Sequence, residues 1–201
     1  MRPIRVTGRD GSEMTIRPAV AADAEAFVAG WQRVADERQF LSLRHVRVTP
    51  AQMAARFEDG DDLTIVGEVA GRLAAALGIL RLGSAQTEHR GELGMWILPE
   101  HRGQRFGAAL IEYAESWAKS VGIERIELGV FPENARAIRL YERLGFEPEG
   151  RIRDAFRYAD DDGVAYRDVV LMAKSLRRAG PSYSAKSGKT SRAQRSSCSR
   201  S

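Results

Sequence analysis

Hydrophobic and polar positions alternate along "MTIRPAV" (residues 14–20), which predicts a first strand. Over "AADAEAFVAGWQRVADERQF" (21–40) the period lengthens. Ala26, Phe27, Trp31 and Val34 recur at helical spacing, and Asp23 is a residue type suited to capping them. A second helix is predicted after "VTP", with Thr49 as cap, Pro50 in the first helical position, and Met53, Ala54 and Phe57 on one face. "DGDD" (59–62) stops it. "LTIVGEVA", "GRLAAALGILRLG" and "HRGELGMWIL" then read as three successive antiparallel strands. A tight turn at Gly71 joins the first two, and "GSAQTEHRG" is a longer connection. "RFGAALIEYAESWAKSVG" (105–122) predicts a long helix closed by Gly122. "IERIELGV" (123–130) predicts a strand, and "NARAIRLYERLG" (134–145) a short helix that stops at Gly145. "FEPEGRIRDAFRYA" and "VAYRDVVLMAKSL" predict a closing strand pair around "DDDG".

The predicted order is β-α-α-β-β-β-α-β-α-β-β, without an internal repeat. The natural packing for this order is an α/β domain, a mixed sheet with helices on both faces. With 201 residues, 43% of them hydrophobic, the chain suits one such domain with a real core. No apolar run approaches the roughly 18 residues of a membrane span. The start, "MRPIRVTGRDGSEMTIRP", lacks the apolar stretch of a secretory signal. The one cysteine, Cys198, leaves no internal disulfide framework and no cysteine-based metal cluster. A cytoplasmic protein is expected.

The net charge of +4 comes from one end. Residues 178–201, "RAGPSYSAKSGKTSRAQRSSCSRS", hold six basic residues and no acidic ones, leaving 25 basic and 27 acidic residues elsewhere. This Ser-rich tail buries too little to offset its ordering entropy, so disorder is expected. A solvated extension without function accounts for it, because a lone Tyr183 falls short of the aromatic interleaving of charges that nucleic-acid binding favours. Contact with nucleic acid or anionic lipid is the alternative. The slightly acidic body argues against a nucleic-acid-binding protein. The expected organisation is an extension over 1–13, a domain over 14–176 and the tail over 177–201.

"LPEHRGQRFGAAL" (98–110) joins a predicted strand to a predicted helix. The first N–H groups of a helix lack internal partners and carry the positive end of its dipole, so such a junction suits phosphate. Gly103 and Gly107 permit close approach, and His101, Arg102 and Arg105 add positive charge. The stretch is neither G-x-x-x-x-G-K-[ST] nor G-x-G-x-x-G. A polar turn with a packing glycine is the other reading of this segment alone.

A second segment, "VFPENARAIRLYERLGF" (130–146), narrows the reading. With "RGELGMWILPEHRGQRFGAALI" followed by "IELGVFPENARAIRLYERLGF", the chain resembles the GNAT superfamily of N-acetyltransferases over about residues 14–176. The closing "RDAFRYADDDGVAYRDVVLMAKSL" is similar to the branch of amino-acid and small-amine acetyltransferases that includes phosphinothricin acetyltransferase. The resemblance implies the GNAT fold, a mixed, mostly antiparallel central sheet of about seven strands with helices on both faces. It implies acetyl-CoA as cosubstrate and no metal. Arg102, Gly103, Gln104, Arg105, Phe106, Gly107 and Ala108 would cradle the pyrophosphate. The family pattern is Gln or Arg, two residues, Gly, one residue, then Gly or Ala. Arg102 and Gly107 fit it, whereas Arg105 stands where the first glycine is usual. Two readings are open. Either Arg105 has an ordinary helical φ and directs its guanidinium away or toward a phosphate, or its Cβ crowds the pyrophosphate.

The resemblance also assigns roles further along the chain. Main-chain groups of Trp96, Ile97 and Leu98 would pair with pantetheine in strand fashion, with an N–H near Trp96 or Ile97 facing the thioester oxygen. The Trp96 side chain reads as core. Asn134 would cap its helix and touch the pantetheine arm. Tyr141 lies two helical turns beyond Asn134 on the same face, and the family makes it the general acid toward the coenzyme sulfur. Without the resemblance it reads as an aromatic packed beside Ile138 and Leu144.

Acetyl transfer needs a neutral amine, and free α-amines titrate near ~8 and lysine near ~10.4. It also needs a donor to the tetrahedral oxyanion. Glu92 is the candidate base, with a solvated strand charge as its alternative. Glu37, where the resemblance places the acceptor pocket, would hold a substrate ammonium, or else is a solvated helix charge. Phe40 and Leu41 would line that pocket or simply pack. His45, His89 and His101 are scattered, and "DGDD" and "DDDG" lack the full calcium-loop pattern. Cys198 is a poor nucleophile, which favours direct attack in a ternary complex. The expected activity is acetyl transfer to a primary amine of a small molecule such as an amino acid. Alternatives are a protein N-terminus or lysine as acceptor, and a CoA-binding sensor or scaffold with little turnover. A homodimer through a strand edge or the terminal strands is compatible with the sequence.

Overall fold

One eight-stranded sheet organises the computed structural model, which describes residues 1–160 and 163–177. Its strands are β1 (Ile4–Thr7), β2 (Glu13–Pro18), β3 (Leu63–Val69), β4 (Arg72–Arg81), β5 (Arg90–Ile97), β6 (Arg125–Val130), β7 (Glu147–Asp160) and β8 (Gly163–Ser175). The helices are α1 (Ala24–Ala35), α2 (Pro50–Asp59), α3 (Phe106–Ser120) and α4 (Ala135–Arg143). Across the sheet the order is β1-β2-β3-β4-β5-β6-β8-β7, and every pairing is antiparallel except β5 with β6. Residues 161–162 of the predicted "DDDG" turn and the tail 178–201 with Cys198 lie outside the described residues.

The strand count exceeds the expectation by one. Ile4–Thr7 pairs with Glu13–Ile16, inside the stretch expected to be an extension. Four mostly exposed residues carry too little periodicity to announce a strand. Tertiary contacts hold it instead, including a hydrogen bond from the Tyr113 hydroxyl to the Arg2 carbonyl (3.0 Å). The first helix also ends earlier than its pattern suggested, at Ala35. Arg38 turns to a positive φ of 53°, and residues 37–49 run on without helix or strand. Asp23 makes no side-chain cap bond to α1. Its carboxylate accepts from the Val20 N–H and pairs with both terminal nitrogens of Arg17. Thr49 does cap α2: its Oγ1 accepts from the Gln52 N–H, while the Gln52 side chain accepts from the Thr49 N–H.

Apolar residues fill both faces of the sheet. On one, Leu110, Ile111, Ala114 and Ala118 of α3 follow the helical period and pack on Ile65, Leu77, Ile126 and Met172. On the other, α1 and α2 bury Phe27, Val34 and Met53 against Val66, Ala76 and Trp96. The Phe27 ring meets Trp31, Phe57 and Trp96 edge-on, with centroids 5.4–5.9 Å apart. Gly30 lets α1 lie this close, because a Cβ there would stand 2.6 Å from the Trp96 ring. Among the described residues, no helix is long and apolar enough to cross a membrane.

The parallel pair is short. Only Arg90–Glu92 of β5 face Arg125–Glu127 of β6. Past Glu92, β5 continues along β4 to Ile97, while β6 continues along β8 to Val130. The two strands part, and the sheet opens between them.

Filling the Gly30 contact should loosen the packing of α1 on the sheet. Gly30→Val is expected to lower unfolding stability by about 2 kcal/mol in urea titration, as overpacking typically does.

Candidate active site

A cleft of about 1310 Å³ occupies the gap where β5 and β6 diverge. Residues from both sheet faces line it, so it passes through the sheet. One end meets the loop between β5 and α3. There Gly103 adopts a φ of +90° and Arg105 a φ of +69°. Among the described residues, no acceptor pairs with the main-chain N–H groups of Gly103, Gln104, Arg105, Phe106 or Gly107. Five consecutive free donors at the start of a 15-residue helix form a concave, electropositive cradle.

Arg105 does not have the ordinary helical φ of the first sequence reading. It caps α3 from the left-handed region, and its carbonyl accepts from Ala108 (3.1 Å) and Ala109 (3.4 Å). A non-glycine residue there costs roughly 1–2 kcal/mol. The backbone thus keeps the turn that a glycine would make. Gly107 has a packing role as well, since a Cβ would come within 3.0 Å of Leu140 on α4. Phe106 is fully buried and offers the cradle only its main chain. The Gln104 side chain accepts from the Asp10 N–H (3.1 Å), tying the β1–β2 hairpin to the loop.

Arg102 and Glu37 meet each other. The guanidinium holds both Glu37 oxygens (2.7 and 2.6 Å), and its Nε donates to the Ile97 carbonyl (2.8 Å). Arg102 is therefore turned away from the cradle, and Glu37 is committed to an arginine rather than open to a substrate ammonium. Together they fasten the segment after α1 to the end of β5 through charge-assisted bonds. Arg9, Arg105, Arg136, Arg139 and Arg143 also line this half of the cleft, and none has a carboxylate partner among the described residues.

The main-chain assignments on β5 shift by one residue. The Leu98 N–H donates to the Ala74 carbonyl (2.9 Å). Because strand main-chain groups alternate, Trp96 and Leu98 face β4, while Leu93, Met95 and Ile97 face the gap. Ile97 keeps its expected position, but its carbonyl is taken by Arg102. Met95 was missed, although alternation alone would have found it once one bond to β4 was known. The Trp96 side chain is buried in the core under α1, and its Nε1 lacks a hydrogen-bond partner.

Asn134 and Tyr141 come to the cleft from the cap and the body of α4. Asn134 caps α4 by accepting from the Ala137 N–H (3.2 Å). Tyr141 is buried against Phe146, with ring centroids 5.7 Å apart, and lines the cleft. Burial pushes its hydroxyl up to about 12, so it stays protonated at neutral pH.

The opposite sheet face carries different chemistry. Glu92 lies on the cleft wall, and its carboxylate makes no ion pair or hydrogen bond among the described residues. Beside it, Arg90 and Arg125 share Glu127, and Arg125 also holds Glu149, whose carboxyl is thereby lowered below the usual range. The segment after α1 passes over this face. The Gln39 carbonyl accepts from Arg167 (2.5 Å), and the Ser42 carbonyl accepts from the Tyr158 hydroxyl (2.8 Å). Arg167 also holds Glu133 (3.1 Å) and stands 3.9 Å above the Phe131 ring. Phe40 and Leu41 line the cleft on this side.

Residues 25–146 match the model of the acetyltransferase (GNAT) family. Spermidine N(1)-acetyltransferase of Vibrio cholerae is 33% identical over 108 residues, 51% of this chain and 60% of that protein. L-amino acid N-acetyltransferase AaaT of Escherichia coli strain K12 is 33% identical over 93 residues, 44% of this chain and 53% of that protein. The chain thus matches little more than half the length of either relative. A phosphinothricin acetyltransferase of the GNAT superfamily from Sinorhizobium meliloti, solved in complex with acetyl-CoA, superposes with a TM-score of 0.73 at 19% identity. That match covers 87% of this chain and 96% of the other, and it is a likeness of fold.

The left-handed backbone at position 105 yields a stability test. Arg105→Gly should raise unfolding stability by about 1 kcal/mol, the relieved strain less the added chain entropy. Arg105→Ala, which keeps the Cβ, should give no such gain in the same urea titration.

Proposed function

The chain belongs to the acetyltransferase (GNAT) family, and on that premise we propose that it moves the acetyl group of acetyl-CoA to a primary amine of a small molecule, by direct attack in a ternary complex. The observation that carries the proposal is the single cleft that joins a row of free amides at one end to the Tyr141 hydroxyl and the unpartnered Glu92 further in. The amides of Gly103–Gly107 suit a pyrophosphate, and the five unpaired arginines around them suit its charge. Because the Arg105 backbone keeps the glycine-like turn, the cradle is formed, which supports a CoA site over one closed by the Arg105 side chain. The Met95 and Ile97 main chains offer the pantetheine arm a strand edge. Acetyl-CoA, once bound, supplies the activated acyl group as a thioester.

The protein's own groups then move the protons. Glu92 takes a proton from the incoming ammonium, directly or through water, and leaves the neutral amine. The amine nitrogen bonds to the thioester carbon. A main-chain N–H on the gap side of β5 is available to the oxyanion. When the carbon–sulfur bond breaks, the Tyr141 hydroxyl donates its proton to the departing sulfur, and the second proton of the newly bonded nitrogen leaves through water to give the amide and restore the Tyr141 hydroxyl. The relatives named for spermidine and for L-amino acids support a small-molecule amine as acceptor.

Tyr141→Phe is expected to lower kcat about 10²-fold in a thiol-release assay, the scale of a lost general acid. Its acetyl-CoA affinity, measured by calorimetric titration, should be unchanged. Absent acetyl-CoA binding by the natural chain would overturn the reading. The pH profile has a definite sign. A hydroxyl raised to about 12 remains an acid through the working range. The rate should therefore rise as the amine loses its proton and show no fall up to about pH 10. A descending limb between pH 8 and 10 would exclude Tyr141 as the acid.

A further inference from the structure

The acceptor half of the cleft carries a chemical signature of its own. Strand registers place its residues on one sheet face: Glu92 lies beside Glu127, Gly129 beside Leu171, Val169 beside Ile152, and Arg167 beside Phe156. Phe131 joins this face by packing on Phe156, with centroids 5.7 Å apart. Three large apolar side chains lining the same cleft are left uncovered: Phe40 is 41% exposed, Ile152 48% and Leu171 40%. Exposed apolar groups converging on one cleft mark a surface that a ligand covers.

The charges around it are nearly all committed. Arg90 and Arg125 are held by Glu127 and Glu149, and Arg167 is held by Glu133 and the Gln39 carbonyl. Among the described residues that line the cleft on this face, Glu92 is the carboxylate without a partner. An ammonium placed near Glu92 meets one opposite charge. A carboxylate beside that ammonium would meet Glu92, while the cleft-lining arginines of this face, Arg90 and Arg125, already face Glu127 and Glu149. A second or third ammonium along the same molecule would lie on Phe40, Ile152 and Leu171.

Resting on the acetyltransferase reading above, we propose that the acceptor is a monoamine whose amino group sits on an apolar or aromatic skeleton without a neighbouring carboxylate. This excludes α-amino acids and polyamines as preferred substrates. Glu92 takes the ammonium, and the uncovered apolar wall takes the skeleton. The uncommitted arginines stay on the cradle side of the sheet, where the cosubstrate needs them.

The test compares 2-phenylethylamine, L-phenylalanine, L-phenylalaninamide and spermidine in the thiol-release assay with the full chain. Rates are expressed per neutral amine, so that their differing basicities drop out. Acetyl-CoA binding is measured first by calorimetric titration. The expected result is a kcat/KM for 2-phenylethylamine about 10²-fold above that for L-phenylalanine, the scale of a misplaced like charge. The amide should recover most of the loss, and spermidine should rank with L-phenylalanine. If acetyl-CoA binds but L-phenylalanine or spermidine equals 2-phenylethylamine, or none of the four reacts, the acceptor class is wrong while the cosubstrate site stands. If acetyl-CoA does not bind, the acetyltransferase reading itself fails.

Discussion

Everything functional in this molecule depends on one interrupted hydrogen-bond ladder. A sheet normally satisfies its main chain by continuing to pair, and a pair that stops early leaves donors and acceptors exposed. Here β5 and β6 pair over Arg90–Glu92 and Arg125–Glu127 and then separate, each still anchored along its outer edge to β4 or β8. The outer pairings make the opening rigid. An opening of this kind admits a substrate that can act as a strand, and it connects the two sheet faces. On the function proposed above, the same feature supplies the binding edge, the passage and the separation of the two half-sites.

The two sides of that passage divide the charge. On the side of α3 and α4, arginines stand without carboxylates around a row of free amides. On the side of α1 and α2, the arginines at the cleft wall, Arg90 and Arg125, are held by Glu127 and Glu149. Arg102 sits at the boundary. By the superfamily pattern it belongs to the phosphate loop, yet its guanidinium clasps Glu37 and the Ile97 carbonyl. Its contribution is to hold the acceptor-side segment against the end of β5, so the geometry of one half-site is fixed from the other. Arg167 makes a second such fastening between Gln39 and Glu133.

Much of this was legible in the sequence, for physical reasons that also mark the limit. Long periodic segments such as residues 106–120 declare themselves because burial on one face dictates their spacing. Thr49 and Asn134 were readable as caps because a helix start creates a local need that a short polar side chain can meet. Ile4–Thr7 was not readable, since its pairing and its Tyr113 contact come from residues far along the chain. The partners of Arg102, Glu37 and Leu98 were not readable for the same cause. Each residue type was right for the chemistry, but its partner is set by tertiary approach. The Glu37–Arg102 pair spans 65 positions of sequence. The shift from Trp96 and Leu98 to Met95 is of another kind. It is a question of parity along a strand, which one long-range bond decides.

Arg105 draws the two levels together. A glycine would make its turn without strain, and it would leave the cradle one positive charge poorer. The chain instead holds an arginine in the left-handed region, at a cost of roughly 1–2 kcal/mol. That conformation persists because its surroundings over-determine it. The Arg105 carbonyl begins α3, the Gln104 side chain before it is bonded to the β1–β2 hairpin, and Phe106 after it is locked in the core. The donors of the cradle are therefore aimed before any ligand arrives, and binding need not meet the cost of ordering them. Strain at this one residue is the counterpart of a preorganised anion site beside an open ladder.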